Sequence, residues 1–171
     1  MATKMDMCQT YNAHAAAVRA MLEDPAYIQF RAEQTGASSV SFQVIAEATG
    51  GTTIIVDRVL PADVPSFAKS FVGDTITVTE RQEWLPAEPD GTGTAVATAT
   101  FSAPLAFTGT MSITSEGGQT RVRTTGEYKA SIPFMGGKIE EMAKDQTVRY
   151  LTKEEALGRN WLEGVRQPSA D

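Results

Sequence analysis

The chain has 171 residues, 42% of them apolar and 21% charged, which suits one globular domain able to bury about 70% of its unfolded surface. A net charge of −6 excludes a sequence-independent nucleic-acid binder, because neutralising phosphates takes clustered Lys and Arg. Cys8 is the one cysteine, which excludes an intrachain disulfide and any paired-cysteine zinc or redox motif; its thiol is expected to be a small buried group.

Residues 1–10 carry no apolar run of signal-peptide length, and no window approaches the roughly 18 consecutive apolar residues of a membrane span. A cytoplasmic protein without an integral membrane segment is the expectation. Residues 1–36 read as a short strand and two short helices. Asn12 is placed to cap the first helix, in which Val18, Met21 and Leu22 share a face. Asp24-Pro25 ends it, and Pro25 suits the first turn of a second helix carrying Tyr27, Ile28, Phe30 and Arg31 up to Gly36. The outline is helix-turn-helix, without the basic second helix of a DNA reader.

From residue 38 the period changes to two. Val40, Phe42, Val44 and Ala46 alternate with Ser41, Gln43, Ile45 and Glu47, and Gly50-Gly51 turns the chain into a second strand over 52–60. The segment "PADVPSFAKSF" at 61–71 reads as a loop or one helical turn, either a lid or a plain connection. Ile76, Val78 and Trp84 then share a parity, and "PAEPDGTG" at 86–93 is a turn. Three further strands follow through Ala95–Phe101, Leu105–Thr114 and Val122–Ile132. Connections this short make consecutive strands antiparallel neighbours, since a parallel return needs a crossover of about a dozen residues. Most of the threonines lie in this region, which fits a sheet with one wet face and one covered face.

The last element, read as a helix over 133–164, is the only one long enough to cover that face. Met135, Ile139, Met142, Ala143, Gln146, Tyr150, Leu157 and Trp161 form one stripe. Glu140/Lys144, Asp145/Arg149 and Glu155/Arg159 are spaced for ion pairs on the opposite side. Gln146 interrupts the stripe, and Gly136-Gly137 weakens the first turn where it would serve as a hinge.

The chemical inventory is thin. His14 is the one histidine and reads as a surface residue at a helix junction, with no partners for a metal. "GTGTAV" at 91–96 lies between strands and opens no helix, so it is a hairpin turn and not a phosphate cradle. Ser66 and Ser131 have no nucleophile-elbow context. No catalytic residue, metal or cofactor is expected, and binding is favoured over catalysis. Glu80 and Gln82 nevertheless fall on the inward parity between Val78 and Trp84, and Arg58 shares the parity of Ile54, Val56 and Leu60. Buried charges are costly unless paired. Either a bulge or a strand end turns Glu80 outward, or Glu80, Gln82, Arg58 and Gln146 orient a mostly apolar ligand.

One strand, two short helices, six antiparallel strands and a long helix is the order of the helix-grip fold. With "AAAVRAMLEDPAYIQFRAEQTGA" at 15–37 and "GGKIEEMAKDQTVRYLTKEEALGRNWL" at 136–162, the chain resembles the START-like (SRPBCC-type) superfamily of allergen-type carriers, polyketide aromatase/cyclases and lipid-transfer domains. More narrowly it is similar to a bacterial family within it known only as a domain of unknown function. The resemblance implies an α+β fold over residues 1–165 with a short tail at 166–171. In that fold a seven-stranded antiparallel sheet curls around the C-terminal helix, leaving a cavity for a hydrophobic ligand or lipid. The residues support space there independently: Ala95, Ala97, Ala99, Gly109, Gly126 and Ala130 are small at inward positions, so either the helix packs very close or room is left. Trp84, Phe107, Met111, Tyr128, Met142 and Tyr150 are the expected apolar ligand contacts. Three functions follow as expectations: carriage of a small hydrophobic molecule, an aromatase/cyclase-like reaction, or a protein-interaction module with a filled core. The oligomeric state is not set by the sequence.

Overall fold

In the computed structural model, which describes residues 2–165, β1 (Thr3–Tyr11) leads into α1 (Ala15–Glu23) and α2 (Pro25–Gln34). The two helices carry the chain to the far sheet edge, where β2 (Ser39–Ala46) and β3 (Thr52–Pro61) form a hairpin. After α3 (Ser66–Val72) come β4 (Thr75–Trp84), β5 (Gly93–Phe101), β6 (Leu105–Glu116), β7 (Gln119–Ala130) and α4 (Gly136–Leu162). The seven strands lie in the order β1-β7-β6-β5-β4-β3-β2, each pair antiparallel. This is the α+β helix-grip arrangement, with α4 across the covered face; the tail at 166–171 lies outside the described residues.

The covered face is built by strict alternation. Ala95, Ala97 and Ala99 of β5, Phe107, Met111 and Ile113 of β6, and Val122 and Tyr128 of β7 are all buried. Thr108, Thr110 and Arg121 of the intervening parity are exposed. Every one of these buried side chains belongs to one continuous core that also takes in Val18, Met21 and Leu22 of α1 and Tyr27 and Ile28 of α2. The turn at 86–93 is a hairpin connection, as its context requires: Asp90 Oδ1 accepts from Thr92 N at 3.0 Å, and Gly91 adopts a φ of +91°.

Several local expectations change. Cys8 is exposed, because the inward register of β1 belongs to Met5, Gln9 and Tyr11. Asn12 does not cap α1: the helix starts at Ala15 with His14 in the cap position, and Asn12 instead accepts from Gln119 Nε2 at 2.8 Å. The segment after Pro61 holds a helix of seven residues, ended by Gly73 at a φ of +79°. α4 begins three residues later than its proline suggests, because Phe134 sits at a φ of +63° and breaks the run.

Glu140 faces inward instead of pairing with Lys144 on the outside. Its carboxylate accepts from Thr3 Oγ1 and from the Ala130 amide, each at 2.9 Å, which ties the start of α4 to both β1 and the end of β7. A side chain on Gly136 would stand 3.2 Å from the Ala130 carbonyl, so this glycine permits close approach in a braced turn. The glycine pair Gly109 and Gly126, in register across β6 and β7, also leaves no open room: a Cβ on either would lie within 2.8 Å of the Phe107 ring. The absent side chains are the seat of that ring.

Candidate functional site

Between α4 and the covered face of the sheet lies a cavity of about 450 Å³, within the range of small-molecule sites. Ala97 and Ala99 of β5 form part of its floor, while Phe107, Met111 and Tyr128 bound it from β6 and β7. Met142, Gln146, Tyr150 and Glu154 of α4 make the roof, and Asp63, Val64, Phe71 and Val72 bring the segment around α3 to its rim. Ala97 and Ala99 of β5 present only methyl groups to this space, while α4 packs against β1 and β7. Of the small inward residues, only Ala97 and Ala99 border the cavity.

Nine of the ten residues singled out from the sequence therefore line one cavity: Arg58, Glu80, Gln82, Phe107, Met111, Tyr128, Met142, Gln146 and Tyr150. Trp84 is the exception. It is buried beyond the cavity, where its indole N–H donates to Gln82 Oε1 at 2.9 Å and the Arg19 guanidinium stacks on its ring at 4.8 Å. Gln146 borders the cavity from an exposed position, and its amide donates to the Asp63 carbonyl at 2.9 Å. It fastens α4 to the segment that precedes α3.

β4 runs in unbroken register with both neighbours, so no bulge rotates Glu80 outward. Its carboxylate meets Arg58 Nη2 at 3.0 Å and Arg31 Nη2 at 3.9 Å, with Gln82 Nε2 at 3.5 Å. Arg31, reaching in from α2, donates to the Tyr150 hydroxyl at 2.8 Å and faces Glu154 at 3.6 Å. The Arg58 guanidinium lies over the Tyr150 ring at 4.5 Å. Two guanidiniums and two carboxylates thus form a node on the cavity wall, each member compensating part of another's desolvation.

Burial pushes the Glu80 carboxyl up, but Arg58, Arg31 and the Gln82 amide outweigh it and hold it below the usual value. Glu154 goes the other way: burial raises it, and the nearby Arg31 only partly offsets that. Tyr150 is pushed up to about 12 by burial, against the pull of Arg31 and Arg58. Two carboxylates in one network therefore have opposed proton affinities. Arg31 and Glu154 were missed as site residues, although both left a trace: Arg31 shares the buried face of α2 with Tyr27 and Ile28, and Glu154 follows Tyr150 by one helical turn.

Among the described residues, no three His, Cys, Asp or Glu side chains gather as a metal site would require, and no helix is long and apolar enough to cross a membrane.

Residues 6–162 match the family model described as a protein of unknown function, DUF2505. No curated protein matches. The fold is similar to that of TTHA0849 from Thermus thermophilus, at 16% identity with 96% of this chain and 99% of that one covered and a TM-score of 0.63. A START superfamily protein from Mycobacterium smegmatis aligns at 11% identity over 95% and 98% of the two chains, with a TM-score of 0.60. The Zhui aromatase/cyclase from Streptomyces sp. R1128 aligns at 14% identity over 96% and 93%, with a TM-score of 0.52.

Proposed function

The chain belongs to the DUF2505 family and has a START-like fold, and from that premise we propose that it binds and carries a small hydrophobic molecule under α4 without catalysing a reaction. The observation that carries this reading is the cavity of about 450 Å³, bordered by Ala97, Ala99, Phe107, Met111, Tyr128 and Met142. An apolar space of this size is filled most favourably by an apolar guest, since each buried CH2 group contributes about 0.8 kcal/mol. The same space argues against a filled core. Gln82, Glu80, Arg58 and Tyr150 then supply the few polar contacts that orient the guest, and the α3 segment with Gln146 forms the rim it passes. The partner is a small molecule.

A second reading has a specific observation in its favour. Two carboxylates with opposed proton affinities on one cavity wall, Glu80 and Glu154, resemble the division of labour of an acid–base pair, and an aromatase/cyclase is among the structural neighbours. Under that reading the bound molecule would leave changed.

Native mass spectrometry on protein purified from its own source, followed by solvent extraction and identification of the extract, tests the proposal. One defined apolar adduct at near-stoichiometric occupancy, released unaltered, is the expected result. An adduct that the protein converts on incubation would replace carriage with catalysis.

A further inference from the structure

Arg58 is 6% exposed, yet its side chain makes no hydrogen bond among the described residues. Its Nε and Nη1 are sealed from water without an acceptor, and its approach to Glu80 is an ion pair too oblique to make one. Arg31, the other guanidinium of the node, donates to the Tyr150 hydroxyl and faces Glu154. Glu80 lies between the two cations, at 3.0 Å from Arg58 and 3.9 Å from Arg31. A buried charged donor left without an acceptor is costly, so an acceptor that reaches this side chain is bound the more tightly for it. Arg58 forms part of the cavity wall. Only the ion pair and the face of Tyr150 position its head group, and no hydrogen bond has to break for it to turn toward a guest.

We propose that the molecule carried in the cavity is an apolar monocarboxylic acid, with its carboxylate received by Arg58 and its hydrocarbon body lying against Ala97, Ala99 and Met111. A carboxylate is the acceptor that suits a guanidinium best, being charged and planar. A neutral hydroxyl or ester would occupy the same apolar space while compensating Arg58 less. The inference rests on the carrier reading above and adds the chemical class of the guest.

Isothermal titration of the full chain with decanoate and with decanol tests it, because the two share a hydrocarbon body and differ at the head group. The expected result is decanoate bound at least about tenfold tighter than decanol, in line with a hydrogen bond to a charged group. In Arg58→Gln the decanoate affinity falls to that of decanol. Equal affinities in the wild-type protein would overturn the acid assignment while leaving carriage in place. Binding of neither would remove the carrier reading together with it. The wild-type comparison needs no variant, so it decides the question even if Arg58→Gln fails to fold.

Discussion

Arg58 and Glu80 stand on adjacent strands directly above one another's register, Val56 opposite Glu80 and Val78 opposite Arg58, so their pairing is diagonal across the β3–β4 ladder. Parity alone places both inward, which is why they were legible in the sequence. Their partners Arg31 and Glu154 come from α2 and α4, and no strand alternation predicts which helical residue will meet them. Glu154 offers a direct test of the node's electrostatics. Its folded value is raised by burial above the ordinary 4.5, so between 4.5 and that raised value the folded chain binds more protons than the unfolded one. The stability Glu154 provides is therefore full below 4.5 and is lost as pH rises through its folded value. Glu154→Gln removes this loss. Urea denaturation across that window should show the variant gaining on the wild-type protein as pH rises toward neutrality. A constant difference at every pH would mean that Glu154 is not desolvated as described. Glu80 works in the opposite direction, its stability lost as pH falls, and the substitution leaves that acid limb in place.

Among the elements, α4 explains most of what the sequence conceals. Its apolar stripe was readable from a 3.6-residue period, and Ile139 and Leu157 are buried accordingly. How tightly it lies on its neighbours depends instead on residues with no apolar signal. Glu140 anchors its first turn, Gln146 holds the α3 segment, and Gly158 lets its last third rest on Tyr11, Tyr27 and Met21. A Cβ on Gly158 would stand 2.7 Å from the Tyr11 ring and 3.1 Å from the Tyr27 hydroxyl. In an open helix, Gly→Ala is stabilising by about 1 kcal/mol. Here overpacking, with a typical cost of about 1–3 kcal/mol, should reverse the sign, and Gly158→Ala should lower the urea midpoint. A midpoint that rises would mean that α4 is free to move off the sheet at this end. Gly136 and the Gly109–Gly126 pair make the same point: a glycine in the sequence announces permissive backbone, and only the packed structure says whether the result is a hinge, a close contact or the seat of an aromatic ring.

At the scale of the molecule, element order and the adjacency of consecutive strands from β2 through β7 follow from period and loop length, and the pairing of β1 with β7 completes the seven-stranded sheet. The cavity is different. It is a residual volume, set by how far the sheet curves away from a helix fixed near β1 and β7, and a string of alanines is equally compatible with close packing or with space. Ala97 and Ala99 border the cavity under α4, whereas Gly109 and Gly126 do not, although all four share one parity. The central claim is that this volume receives an apolar guest. Amide chemical-shift mapping of the labelled protein titrated with decanol tests it most directly, because it reports both binding and place. Saturable shifts are expected at Ala97, Ala99, Tyr128, Met142 and the α3 segment, with Thr108 and Thr125 on the outer face unmoved. Saturable shifts confined to the outer face, or none at all up to the solubility limit, would contradict it.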